Sequence, residues 1–356
     1  MTVYPQSLHD LVDQAKALGP IRVAVVDAAQ GLVIETLREA HALGLVEPRL
    51  IGVPDAIAAV CKDLGWNIAS GWIVPTPNDA AAAAMAVELV RAGEADAVMK
   101  GNIHTDALMH ALLDKEHGLR APGRRVSHVF LIEVSSHPKL LGVTDAAINI
   151  APDLDAKAAI LQNAIDLFHL LGVEAPKVAV LSAVETVNPS IVSTLDAACL
   201  TLMARRGQIT GATVDGPLAF DNAISRKAAA EKGIESPVAG DADILLVPDL
   251  VSGNILAKNL EYLAGAVAAG IVVGLTVPVV LSSRADPAPA RLAALAVAAL
   301  IHHRTPRTRA RVAPREPSFA CAPQPESACC PMTGATMPER PLSETPRQRL
   351  KEARHA

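Results

Sequence analysis

Aromatic side chains are scarce in this 356-residue chain, which has only four Phe, two Trp and two Tyr. So few rings leave little to stack on nucleic-acid bases, and a formal charge of −5 disfavours an anionic membrane or nucleic acid as partner. A small ligand is therefore expected. Five cysteines form no C-x-x-C pair, and no apolar signal segment follows Met1. Both features fit a reducing cytoplasm and exclude a disulfide framework. Cys321, Cys329 and Cys330 lack His or Cys neighbours at zinc-ligand spacing, and no cluster of aspartates suits a divalent metal, so no metal is expected. Charge is missing from 262–283, a length that could span a membrane. Gly265, Gly270, Gly274 and Pro278 interrupt that run, and its text turns from Ala-rich to the β-branched VVGLTVPVVL. It reads as the end of a buried helix followed by one buried strand, with no membrane span.

Apolar residue types make up 51% of the chain, ample for the core of two domains. Short apolar runs alternate with segments of helical spacing. IRVAVVDA, RLIGV, GWIVP and DAVMKG are each followed by a helix pattern, which predicts a mostly parallel sheet with helices on both faces. Near 119–143 the text becomes strand-rich, as if the chain crossed into a second domain, and a second alternating series follows. The strand and helix of 271–301 have no partner in that series and are expected to return to the first. The expected organisation is domain I from 1–122 plus 271–301, domain II from 123–270, and a tail from 302–356. That tail has nine prolines, ten Lys/Arg and five Glu with little apolar periodicity, so it reads as disordered and basic.

The second series centres on GDADILLVPDLVSGNILAKN, residues 240–259. Ile244 to Val247 suit a strand covered on both faces, ended by Pro248. Ser252, Gly253 and Asn254 then read as a helix start whose N–H groups could receive an anion, with Lys258 one turn beyond Asn254. Other strand ends also carry polar residues that a bare scaffold does not need. Lys100 and His104 follow DAVM; Arg125, Ser127 and His128 flank the domain crossing; Asp145 follows LLGV; Asp215, Asp221 and Asn222 follow GATV. After VPVVL come Ser283, Arg284 and Asp286. In α/β sheets function lies at carboxyl ends of strands. These groups were accordingly expected on one side of two sheets, around a phosphate-rich ligand between domains.

MKGNIHTDAL, GRRVSHVFLIEV, GVTDAAINIAPDLDAK, LSAVETVNPSIVSTLDAA, RGQITGATVDGPLAFDNAIS, GDADILLVPDLVSGNILAKNL and PVVLSSRAD resemble, in the same order, the phosphate acetyl/butyryltransferase family. The resemblance runs from about Val23 to Ile301 and includes members fused to an enoyl-CoA hydratase; that half is expected to be absent here. It implies a fold like that of the isocitrate and isopropylmalate dehydrogenases, with the second α/β domain inserted into the first. The implied reaction joins acyl-CoA and phosphate to give acyl phosphate and CoA, with CoA as substrate and no other cofactor, in a homodimer or larger homo-oligomer.

By the same resemblance, Ser283 orients the CoA thiol and Arg284 stabilises the oxyanion. Lys100, His104, Arg125, Ser127, Asp145, Asp215, Asp221, Asn222, Gly253, Asn254 and Lys258 are expected as substrate contacts, and Asp286 as a catalytic group beside Ser283 and Arg284. The family aspartate seven residues after the serine is Ala290 here, which leaves Asp286 as the nearest carboxylate. An acyl-carrier-protein phosphate acyltransferase and a non-catalytic ligand-binding relative stand as alternatives. A dehydrogenase of the same fold would need metal-binding aspartates and a nucleotide loop, and neither is present.

Overall fold

Apolar strands alternating with amphipathic helices build the architecture seen in a computed structural model, which describes residues 5–282 and 286–306. Helix α1 (Leu8–Lys16) leads to β1 (Ile21–Val26), α2 (Gly31–Ala42), β2 (Val46–Gly52) and α3 (Pro54–Asp63). Next come β3 (Ile73–Pro75), α4 (Asp79–Arg91), β4 (Ala97–Lys100) and α5 (Thr105–Leu112). The middle of the chain supplies β5 (Ser127–Glu133), β6 (Leu141–Thr144), α6 (Leu154–Leu170), β7 (Lys177–Leu181) and α7 (Val192–Arg205). After β8 (Thr213–Leu218), α8 (Phe220–Ile224) and α9 (Arg226–Glu231) come β9 (Ile244–Leu246) and α10 (Leu250–Leu263). The hairpin β10 (Val267–Val273) and β11 (Val279–Val280) precedes the last helix, α11 (Ala288–Arg304).

One 11-stranded sheet joins them in the order β3-β2-β1-β4-β11-β10-β5-β6-β9-β7-β8. The pairings within β3-β2-β1-β4-β11 and within β6-β9-β7-β8 are parallel. Three antiparallel pairings, β11-β10, β10-β5 and β5-β6, separate the two blocks. The blocks therefore run in opposite directions, and their carboxyl ends leave from opposite edges of a continuous sheet. This corrects the expectation that all the strand-end residues share one side.

Strand alternation divides the core into two faces. Val23, Val25, Met99, Val129 and Leu131 pack with α1, α2, α6 and α11, while Ala24, Val26, Val98 and Val272 pack with α4 and α5. Ile132, Val143 and Leu245 continue that second face under α10.

Three further corrections follow. The text read as one strand before Ser282 is a hairpin, because Gly274 turns at φ 87° where a Cβ would lie 2.1 Å from the Arg125 carbonyl oxygen. Residues 222–232, whose spacing predicts one helix, break at Ser225, which caps α9 through Ala228 N–H at 3.2 Å. The tail does not begin at His302: α11 continues to Arg304, whose guanidinium donates to the Leu170 carbonyl at 2.8 Å and to Gln14 Oε1 at 2.9 Å. The rest of the expected tail, from 307, lies outside the described residues. Among the described residues, no helix is long and apolar enough to cross a membrane.

Candidate active site

The central antiparallel strands form a floor where the two parallel blocks meet. His128 and Phe130 point to the α5 and α10 face, and their rings form a T-shaped pair 4.4 Å apart. Gly270, opposite Phe130, makes room for them. A Cβ there would lie 2.8 Å from His128 Nε2, 3.2 Å from the Phe130 ring and 3.2 Å from the Leu281 carbonyl oxygen. The imidazole thus lies beside the point where β11 delivers the chain to Ser282. It is 1% exposed, and its Nδ1 has no hydrogen-bond partner among the described residues. Burial pushes its pKa down to about 4 against the opposing charge of Asp145, so the ring is neutral at pH 7. Its neighbour Ser127 points to the other face, where it accepts a hydrogen bond from Asn163 Nδ2 at 2.9 Å.

Asp145 follows β6 through a cis Thr144–Asp145 bond. Its buried carboxylate accepts from the backbone N–H groups of Ala147 and Ile148, both at 3.0 Å, and of Asn149 at 3.2 Å. Asn149 Nδ2 adds a fourth donor at 2.6 Å, while Asn149 Oδ1 accepts from Arg125 at 3.0 Å. A short acidic side chain bonding forward onto its own loop is an Asx-type turn. The carboxylate shapes this loop, and Arg125 is held through it.

Helix α10 begins earlier than its sequence suggested. Asp249 is the N-cap and accepts from Ser252 N–H at 2.9 Å, so Ser252, Gly253 and Asn254 lie inside the first turns. The anion expected at this helix start has a counterpart in the chain's own carboxylate. Gly253 serves packing: a Cβ would lie 2.6 Å from Val247 Cγ2 and 3.1 Å from Ala146 Cα. Asn254 Nδ2 donates to the Ala146 carbonyl at 3.5 Å. One turn further, Lys258 bonds Glu261 Oε2 at 2.7 Å. Partial burial lowers the Lys258 pKa, but Glu261 and the charge of Asp286 outweigh it, and the net shift is upward. The charge of Asp286 is therefore felt at Lys258.

Lys100 ends β4 on the same face, buried, with its ammonium 3.4 Å from the Gly101 carbonyl. Gly101 abuts Asp27, whose carbonyl oxygen would be 2.2 Å from a Cβ. Asp27 itself has φ 55° and a pKa raised by burial and by Asp79, opposed by a hydrogen bond with Asn102. The sequence reading passed over Asp27, although a carboxylate closing the apolar VAVV run was a visible signal. His104 is the N-cap residue of α5, without a side-chain cap bond.

The remaining expected residues lie elsewhere. Asp215 is within β8 rather than after it, because β8 is an edge strand and tolerates Pro217. Asp221 pairs with Lys232 at 3.1 Å, and buried Asn222 donates to Glu185 at 3.3 Å. On the opposite face, Arg124, Asn163, Asp166 and His169 line a cleft of about 370 Å³. Ser283 and Arg284 lie outside the described residues. Among the described residues no group of three or more His, Cys, Asp or Glu could hold a metal ion.

A mixed α/β scaffold with polar groups gathered beside strand ends is the class that binds and transforms small ligands. Residues 73–299 match the family described as "Phosphate acetyl/butaryl transferase". The chain belongs to that family and is an acyltransferase. It is 50% identical over 296 residues to a phosphate acetyltransferase of Rhizobium meliloti, a match covering 83% of this chain and 93% of the relative. Identity to a phosphate butyryltransferase of Clostridium acetobutylicum is 42% over 296 residues, covering 83% and 98%. A branched-chain phosphotransacylase structure from Enterococcus faecalis V583 superposes with TM-score 0.68 at 32% identity, covering 80% of this chain and 99% of that one. A phosphotransacetylase from Streptococcus pyogenes, at 24% identity and TM-score 0.71, covers 83% and 99% and has the same fold.

Proposed function

We propose that this chain transfers a short acyl group between CoA and inorganic phosphate, acetyl in preference to butyryl. The observation that carries the proposal is the 50% identity to a phosphate acetyltransferase over 296 residues. Beside it, the charge of Asp286 acts on Lys258 and so links the α10 motif to the segment after β11, two parts of the family resemblance that are separate in sequence. No comparable observation favours a carrier-protein substrate or a non-catalytic role.

In this mechanism a phosphate oxygen attacks the thioester carbonyl carbon and a tetrahedral oxyanion forms. The C–S bond then breaks, giving acyl phosphate and a CoA thiolate that takes up the proton the attacking hydrogen phosphate gives up. Arg284 stabilises the oxyanion with a fixed charge and two parallel donors, and Ser283 orients the sulfur. Lys258 and Lys100 offset phosphate charge, Asp286 sets Lys258, and His104, Arg125 and Asn254 line the approach. The remaining expected residues, Ser127, Asp145, Asp215, Asp221, Asn222 and Gly253, support the loops around them. The division into 1–122 plus 271–301 and 123–270 belongs to this proposal, with the cleft on the α5 and α10 face. So do a cytoplasmic location and a homodimer, the latter supported by the exposed apolar side chains Val251, Ile255, Tyr262 and Leu263 on α10.

Arg284→Gln tests the central assignment, since Gln retains most of the volume and some hydrogen bonding without the charge. Steady-state kinetics should show kcat lower by on the order of a hundredfold, about 2.7 kcal/mol, with a smaller change in KM. Near-normal kcat in folded Arg284→Gln would remove Arg284 from the mechanism.

A further inference from the structure

One buried charge has no part in the mechanism above. Arg291 lies in the first turns of α11 and is only 3% exposed, in a helix whose inward residues are otherwise Ala, Leu and Val. An apolar side chain would suit the position better on burial, because a buried guanidinium is costly unless its donors are used. A cation near a helix N-terminus also opposes the helix dipole. The structure shows where the donors go. Arg291 Nε donates to Thr36 Oγ1 at 3.0 Å, and NH1 donates to the Asp286 carbonyl at 2.7 Å. Thr36 is buried in α2, and its hydroxyl donates to the Leu32 carbonyl at 2.8 Å, which leaves its lone pairs turned to the arginine.

We propose that Arg291 is a positioning residue for acyl transfer: its buried guanidinium, braced by Thr36, fixes the backbone of Asp286 and so sets the Asp286 carboxylate against Lys258. The inference rests on the functional reading above and adds residues outside the expected site. Arg291 holds the Asp286 carbonyl from the α2 and α11 side, whereas the Asp286 charge acts on Lys258 of α10. With Nε anchored on Thr36, the rigid guanidinium plane holds its NH1 donor in one place against the Asp286 carbonyl, which a flexible lysine ammonium would not do.

The test uses the full-length chain with Arg291→Met, Arg291→Lys, Arg291→Ala and Thr36→Val, assayed well below each variant's measured Tm. Folded Arg291→Met should lose kcat by on the order of tenfold to a hundredfold, since small misplacements near a reacting centre have effects of that size. KM for acyl-CoA should move less. Arg291→Lys should recover little, and Thr36→Val should show a smaller loss in the same parameter. Added guanidinium should restore Arg291→Ala but not stimulate the wild-type chain. A merely structural arginine would lower Tm and leave kcat of the folded fraction unchanged, and that outcome overturns the proposal. If Arg291→Met does not fold, unchanged kcat in both Thr36→Val and Arg291→Lys overturns it equally. A folded wild-type chain without phosphate-dependent turnover would refute the functional reading itself, and this inference with it.

Discussion

His128 shows how one residue links packing, charge and the site. Its ring fits against β10 because position 270 is glycine, and burial holds its pKa at about 4. An exposed histidine in the unfolded chain titrates near 6.5. Protonation therefore favours the unfolded state: the stability tied to neutral His128 is complete above about pH 6.5 and is lost as pH falls through about 4. The full difference is on the order of 3 kcal/mol at about 1.4 kcal/mol per unit. Chemical denaturation of wild type and His128→Phe at several pH values should show the wild type losing more stability across this window. Parallel curves would mean that folding does not shift the His128 pKa. The residue was legible in the sequence as either a satisfied core histidine or a site group. Its Nδ1 has no hydrogen-bond partner among the described residues, which only the facing strand could reveal.

At the scale of elements, strand and helix identities were largely legible, whereas their ends were not. The sequence pattern puts Ser252, Gly253 and Asn254 at the α10 start, although Asp249 is as good a cap by residue type and local preference does not separate them. Packing does: a glycine inside the helix is needed where Gly253 meets Ala146, so the cap moves back to Asp249. Asp249→Ala should then cost about 1 kcal/mol of stability, measured by thermal unfolding. Ser252→Ala should cost less, and the reverse order would restore the sequence-based cap. The same gap between local preference and neighbouring structure explains Pro217, tolerated because β8 lies at the sheet edge, and Gly274, which turns one apparent strand into a hairpin.

Across the whole molecule, the family motifs were legible because each places charged or φ-permissive residues beside a strand end. Their arrangement was not, because it depends on three antiparallel pairings at the centre of the sheet that no local pattern encodes. Those pairings run the two parallel blocks in opposite directions, so the strand-end residues of the two blocks leave from opposite edges of the sheet. Phosphate-dependent release of CoA thiol from acetyl-CoA by the purified chain, compared with butyryl-CoA and a long-chain acyl-CoA, tests the account most directly. Turnover is expected with both short substrates, faster with acetyl, absent without phosphate, and accompanied by one acyl phosphate for each thiol released. Thiol release independent of phosphate, or turnover confined to the long-chain substrate, would contradict it.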